Sequence, residues 1–199
     1  NSCVLFLSPE SFYHWKNSRR IVDIRPANSF VKGSFADAIS LPPEKFTSYT
    51  DFVSALEKLS KESAVHLIDL DGNLSKQVLS DISLNALEGG YKGFKQWREN
   101  VFLNGPPIVL LGGKTGSGKT EGLQSLIRMR RQVIDLEMLA AHRGSVFGNM
   151  PGKMQPGYEF FQNRLLEIWL SLNITTPVWI EEKGPFLGKL GLPATLYNK

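Results

Sequence analysis

Short apolar runs alternate along this chain with segments whose apolar residues recur every three or four positions. "RRIVDIRP" (19–26) predicts a buried strand stopped by Pro26, whose ring neither continues a ladder nor lets the preceding residue turn helical. "ADAISLPP" (36–43) predicts a second short strand closed by two prolines. In "SYTDFVSALEKLS" (48–60), Phe52, Leu56 and Leu59 share one helical face behind Asp51, which marks a helix start. "AVHLIDL" (64–70) is the next buried strand, ended by the turn signal "DGN". The spacing then predicts a helix over 74–87 and, beyond the glycine-rich "EGGYKG", a further helix to about residue 100. Cys3–Leu7 reads as a first strand, because neither a basic leader nor a small-residue cleavage site accompanies it.

A second series follows the punctuation "NGPP" (104–107). "IVLLGG" (108–113) is a buried strand, "TEGLQSLIRMRRQ" (120–132) a helix and "QVIDL" (132–136) a strand. "EFFQNRLLEIWLSL" (159–172) is an amphipathic helix, and "TPVWIEE" (176–182) a buried strand ending in two carboxylates. Strand-helix alternation in both series predicts an α/β fold with largely parallel sheets. The expected division is a domain over 1–103 and another over 104–199.

Composition narrows the class. With 42% hydrophobic and 21% charged residues the chain is an ordinary globular protein, and no apolar run approaches the ~18 residues of a membrane-spanning helix. The expectation is therefore no membrane partner. The single cysteine, Cys3, excludes an internal disulfide and a cysteine metal cluster. It fits a reducing compartment, the cytoplasm or an organelle. The net charge is +4, and because Lys and Arg balance Asp and Glu over residues 1–100, the excess lies wholly in the second half. A nucleic-acid partner fits that distribution without being required by it. The first residue is Asn rather than Met, so an upstream piece is expected.

One stretch names a chemistry. "GGKTGSGKT" (112–120) places Gly113 four residues before Gly118-Lys119-Thr120, the P-loop pattern, between a predicted strand and a predicted helix. Gly113, Lys114, Thr115, Gly116, Ser117 and Gly118 would turn their backbone N–H groups toward an anion, with the positive end of the helix behind them. Lys119 would neutralise phosphate charge, and the Thr120 hydroxyl suits Mg²⁺. A nucleoside triphosphate, a prenyl diphosphate and a phosphorylated nucleoside would all suit such a loop. Glu181 and Glu182, at a strand tip, are candidate metal ligands, with Asp135 as a second choice.

Two further clusters carry charge. In "LAAHRGSVFG", His142 can serve as an acid or base and Arg143 as a phosphate or RNA contact. Arg128, Arg130 and Arg131 in "RMRRQ", together with Arg143, are the candidate RNA contacts; a solvated helix end is the alternative.

The order of "IVDIRPANSF", "GSFADAISLP", "GGYKGFKQWR", "GGKTGSGKT", "IDLEMLAAHRGSVFG" and "PVWIEE" closely resembles the tRNA 2-selenouridine synthase family. That resemblance implies a rhodanese-like α/β domain followed by a P-loop NTPase-like α/β domain. It implies modification of the wobble uridine of tRNA in two steps. The 2-thio group is geranylated from geranyl diphosphate, and the S-geranyl group is then replaced by selenium from selenophosphate. The catalytic set implied here is Lys119, His142, Arg143 and Glu181, with Mg²⁺ as the expected cofactor.

The chain departs from the family pattern twice. A working rhodanese loop carries a cysteine, which would fall at or next to Ile68 and Asp69, and "VHLIDLDGNLSKQ" has none. Asp69 and Asp71 would also repel an anionic selenium donor. The expectation is an inactive rhodanese-like domain, with selenium transfer lost and geranyl transfer retained; the alternatives are a non-catalytic tRNA- or nucleotide-binding remnant of the family and a P-loop ATPase or kinase. Beyond Glu181-Glu182, "KGPFLG" replaces an acidic residue and an arginine of the family's run, and the P-loop domain is expected to continue past Lys199.

Overall fold

The computed structural model describes residues 5–114, 116–142 and 154–197. The chain divides into two compact units, Asn1–Arg98 and Glu99–Lys199.

In the first unit, β1 (Leu5–Leu7), β2 (Arg20–Asp23), β3 (Ile39–Ser40), β4 (Val65–Ile68) and β5 (Asn85–Leu87) form one sheet in the order β1-β5-β4-β2-β3. Every pairing is parallel, so each connection is a crossover, and helices cover both faces. Alternation along the strands sorts the side chains. Val22, Val65 and Leu67 join Phe52 and Leu56 of α3 (Tyr49–Glu62) and Val78 and Leu79 of α4 (Asn73–Asp81) in one core. On the opposite face, His66 meets Phe12 of α1 (Pro9–Trp15), and Phe35 packs on Phe94 of α5 (Gly90–Leu103).

The "DIR" run serves this architecture. Buried Asp23 accepts from Arg25 Nε at 2.9 Å and from Ser34 Oγ at 2.6 Å. Arg25 Nη2 also donates to Gly33 O at 2.9 Å, and the guanidinium lies 3.8 Å from the centre of the Tyr91 ring. A buried ion pair so fully hydrogen-bonded fixes how the chain leaves β2 for α2 (Ala27–Lys32).

One sequence expectation is corrected here. The helix read over 74–87 ends at Asp81, and residues 85–87 form β5, paired on both sides. Ile82 and Leu84 continue the apolar spacing, yet the chain extends there, and Ala86 and Leu87 are buried in the sheet between β1 and β4.

In the second unit, β6 (Ile108–Leu111), β7 (Gln132–Ile134) and β8 (Val178–Glu181) form a parallel sheet in the order β6-β8-β7. The registers Leu111↔Glu181 and Ile134↔Ile180 bring the exits of all three strands to one edge. Between the strands lie α6 (Lys119–Arg128), α7 (Leu136–Leu139) and α8 (Tyr158–Ser171), the last burying Phe161, Leu165, Leu166 and Trp169. Trp169 packs edge-on against Phe102 at 5.8 Å, and its indole N–H donates to Val101 O at 3.2 Å. The last residues of α5 thus belong to this core. A small hairpin, β9 (Phe186–Leu187) and β10 (Leu190–Gly191), follows β8.

Candidate phosphate-binding site

The glycine-rich stretch leaves β6 and enters α6 through Gly118 at φ 82°, a left-handed conformation that a side chain would strain. No side chain caps the helix, so its first-turn N–H groups face outward with the helix dipole behind them. Ser117 N donates to Lys114 O at 3.1 Å, which closes the turn. Lys119 folds back over the loop, and its Nζ donates to Gly113 O at 2.8 Å and Lys114 O at 2.9 Å. Gly113, Lys114, Gly116, Ser117 and Thr120 are exposed around it. Thr115 lies outside the described residues.

The strand tip meets this loop. Glu182 N donates to Leu111 O at 3.1 Å, and a side-chain carbon placed on Gly112 would come within 2.7 Å of Glu182 Oε2. The exposed Glu182 carboxylate therefore overhangs the start of the loop. Glu181 turns inward instead. Its Oε1 lies 3.6 Å from Lys119 Nζ and 2.9 Å from Lys183 Nζ, and Lys183 Nζ reaches Glu137 Oε1 at 2.6 Å. All four side chains are mostly buried. Burial lowers the pKa of Lys183, but its hydrogen bonds to Glu137 and Glu181 and their charges outweigh this, and the pKa is raised.

The other expected residues fall in different places. Asp135 Oδ1 accepts from Met138 N at 2.9 Å and so caps α7. His142 is buried past the end of α7, its backbone N–H donating to Glu137 O at 3.0 Å. Arg143, with Gly144 and Ser145, lies outside the described residues. Arg128, Arg130 and Arg131 are exposed at the far end of α6, about 14 Å from Lys119 by helical rise. Arg128 Nη2 donates to Ser125 Oγ at 2.8 Å, and Arg130 takes a left-handed φ of 56° where the helix unwinds.

Sequence reasoning missed Lys183 and Glu137. The one available signal was the cation that follows two carboxylates in "EEKGP".

The loop after β4 is built differently. Asp69 is buried, its Oδ1 accepting from Gly72 N at 2.9 Å and its Oδ2 from Ser75 N at 3.0 Å. Asp71 Oδ1 accepts from Asn73 N at 3.1 Å. Three N–H groups at the start of α4, those of Gly72, Asn73 and Ser75, are thus occupied by the chain's own carboxylates. Cys3 lies outside the described residues.

No group of three or more His, Cys, Asp or Glu able to hold a metal ion occurs among the described residues. Among them, too, no helix is long and apolar enough to cross a membrane.

Residues 106–199 match the tRNA 2-selenouridine synthase AAA domain. The tRNA 2-selenouridine synthase of Shewanella sp. (strain MR-7) is 34% identical over 234 residues, covering 96% of this chain and 62% of that protein. Along its length the chain is thus similar to the tRNA 2-selenouridine synthase family. Other members of this family that it resembles come from Shewanella denitrificans, at 27% identity over 91% of this chain and 59% of that protein, and Salmonella schwarzengrund, at 40% over 57% and 31%. The chain spans 59% to 62% of the length of the Shewanella relatives that match it over at least 91% of its residues. A solved rhodanese-related protein from Thermoplasma volcanium aligns with 18% identity and a TM-score of 0.36, covering 46% of this chain and 91% of that one. In fold, the chain is two α/β units, each built on a parallel sheet, and the second carries the match to the AAA domain.

Proposed function

We propose that this chain modifies the wobble uridine of tRNA, with the loop at 113–120 gripping the diphosphate of a prenyl donor such as geranyl diphosphate. The observation that carries this reading is the loop itself: an uncapped helix start and a lysine resting on two carbonyls, within reach of strand-tip carboxylates. In the reaction, the 2-thiocarbonyl sulfur of the uridine attacks the allylic carbon bearing the diphosphate. The carbon–oxygen bond breaks, the diphosphate departs with the electron pair, and the N3 proton of the base is lost to solvent. Lys119 and the loop N–H groups stabilise the charge that grows on the departing oxygens. Thr120 and the exposed Glu182 suit Mg²⁺, which would supply further positive charge to the diphosphate; Glu181 already serves two lysines. His142 and Arg143 are the residues proposed to serve near the base, and Arg128, Arg130 and Arg131 to contact RNA.

In this reading the rhodanese-like unit acts as a scaffold and selenophosphate is not a substrate. Support comes from Asp69, whose carboxylate occupies the N–H groups that an anionic donor would need. The test is incubation with 2-thiouridine tRNA, Mg²⁺ and geranyl diphosphate, followed by mass spectrometry of the nucleosides. S-geranyl-2-thiouridine is expected, and its absence with folded protein overturns the proposal. Parallel titrations with ATP, GTP and geranyl diphosphate distinguish a prenyl donor from a nucleotide.

A further inference from the structure

Glu181 sits between two lysines, and the two contacts are unequal. The same oxygen, Oε1, is 2.9 Å from Lys183 Nζ and 3.6 Å from Lys119 Nζ. Lys119 makes its short hydrogen bonds to neutral carbonyls, whereas Lys183 makes both of its own to carboxylates, at 2.6 Å and 2.9 Å. A lysine held by carbonyls exchanges them readily for phosphate oxygens, because a charge-assisted bond replaces neutral ones. A lysine locked to a mostly buried carboxylate does not, since leaving would strand a buried charge.

We propose that Lys183 is a positioning residue of the phosphate site: it engages Glu181, so that Lys119 remains free to swing from Gly113 O and Lys114 O onto a bound diphosphate. Glu137 anchors Lys183 from α7 and fixes its direction. Without Lys183, Lys119 is the one cation within 4 Å of Glu181 among the described residues, and the carboxylate competes with the ligand for it. This inference rests on the reading of the loop as a phosphate site.

The test is calorimetric binding of inorganic pyrophosphate to the full chain in magnesium-free buffer. Lys183→Met is expected to weaken binding by about tenfold, the effect of closing one charged contact onto the lysine. Adding Glu181→Gln to Lys183→Met should restore affinity to within about threefold of the parent chain, since the competing anion is gone. Adding Glu137→Gln instead should not. Lys183→Gln, one bond shorter, keeps a hydrogen-bond donor while removing the charge, and makes the same test if the methionine variant loses its fold. Unchanged binding in Lys183→Met, or equal rescue by the two glutamine variants, overturns the inference and assigns Lys183 a purely structural role. Failure of the parent chain to bind pyrophosphate at all overturns the phosphate reading, and this inference with it.

Discussion

The molecule contains two turns of the same kind, built to opposite ends. Each leaves a parallel strand and enters a helix through a glycine at positive φ, Gly72 at 90° before α4 and Gly118 at 82° before α6. In both, the helix start presents N–H groups that intrahelical bonding cannot satisfy. The first turn answers them from within, through Asp69 and Asp71. The second leaves them uncapped and folds a cation over the loop, onto carbonyls. The lesson is that a strand–turn–helix becomes an anion site or a closed structural corner according to which charge the chain itself places there.

The largest effect expected from breaking this contrast is at Lys119. Lys119→Ala should reduce pyrophosphate affinity by about a hundredfold or more, read by calorimetry, because the charge-assisted contact of the lysine folded over the loop is lost. Its effect on stability should stay below about 1 kcal/mol, since its short bonds are to exposed carbonyls. The mirror experiment is Asp69→Ala. It should leave pyrophosphate affinity unchanged and cost about 3 kcal/mol in urea unfolding, because Gly72 N and Ser75 N lose a buried charged acceptor. A neutral melt with weakened ligand binding would reverse the assignment of the two turns.

A pH titration extends the comparison to the strand that feeds the closed turn. His66 on β4 is buried, and burial first, then the charge of Arg19, lowers its pKa from 6.5 to about 4. The folded value lies below the unfolded one, so the unfolded chain takes up the proton first. The stabilisation is complete above pH 6.5 and is lost as the pH falls toward about 4. The loss should not exceed about 3 kcal/mol, and His66→Phe should flatten that part of the stability profile. The smallest effect is expected at the far end of α6. Replacing Arg128, Arg130 or Arg131 singly by Gln should lower the salt slope of tRNA binding by about one each if they touch phosphates. An unchanged slope would leave them as a solvated helix end.

Much of this was legible in the chain. The run "VHLI" gave β4, and the spacing of Phe52, Leu56 and Leu59 gave α3, because both lie where one periodicity has no rival. β5 was not legible, since Ile82 and Leu84 prolong the helical spacing of α4 and only the sheet decides otherwise. The glycine-rich loop could be read because its parts are consecutive. The lysine–glutamate cluster beside it could not, because Lys183 and Glu137 are 46 residues apart and nothing local pairs them. The two carboxylates at 69 and 71 were read as repelling an outside anion. The structure adds that they hold the loop's own donors, a use that "DLDGN", with its turn-forming Asp and Gly, was already suited to.

The shared role of α5 bears on how the chain can be dissected. Val101 O receives the indole N–H of Trp169, and Phe102 covers the same ring, so part of the second unit's interior arrives from the helix before it. A fragment started at the "NGPP" punctuation would discard both and expose a tryptophan face to solvent. One started at Glu99 would carry its own lid.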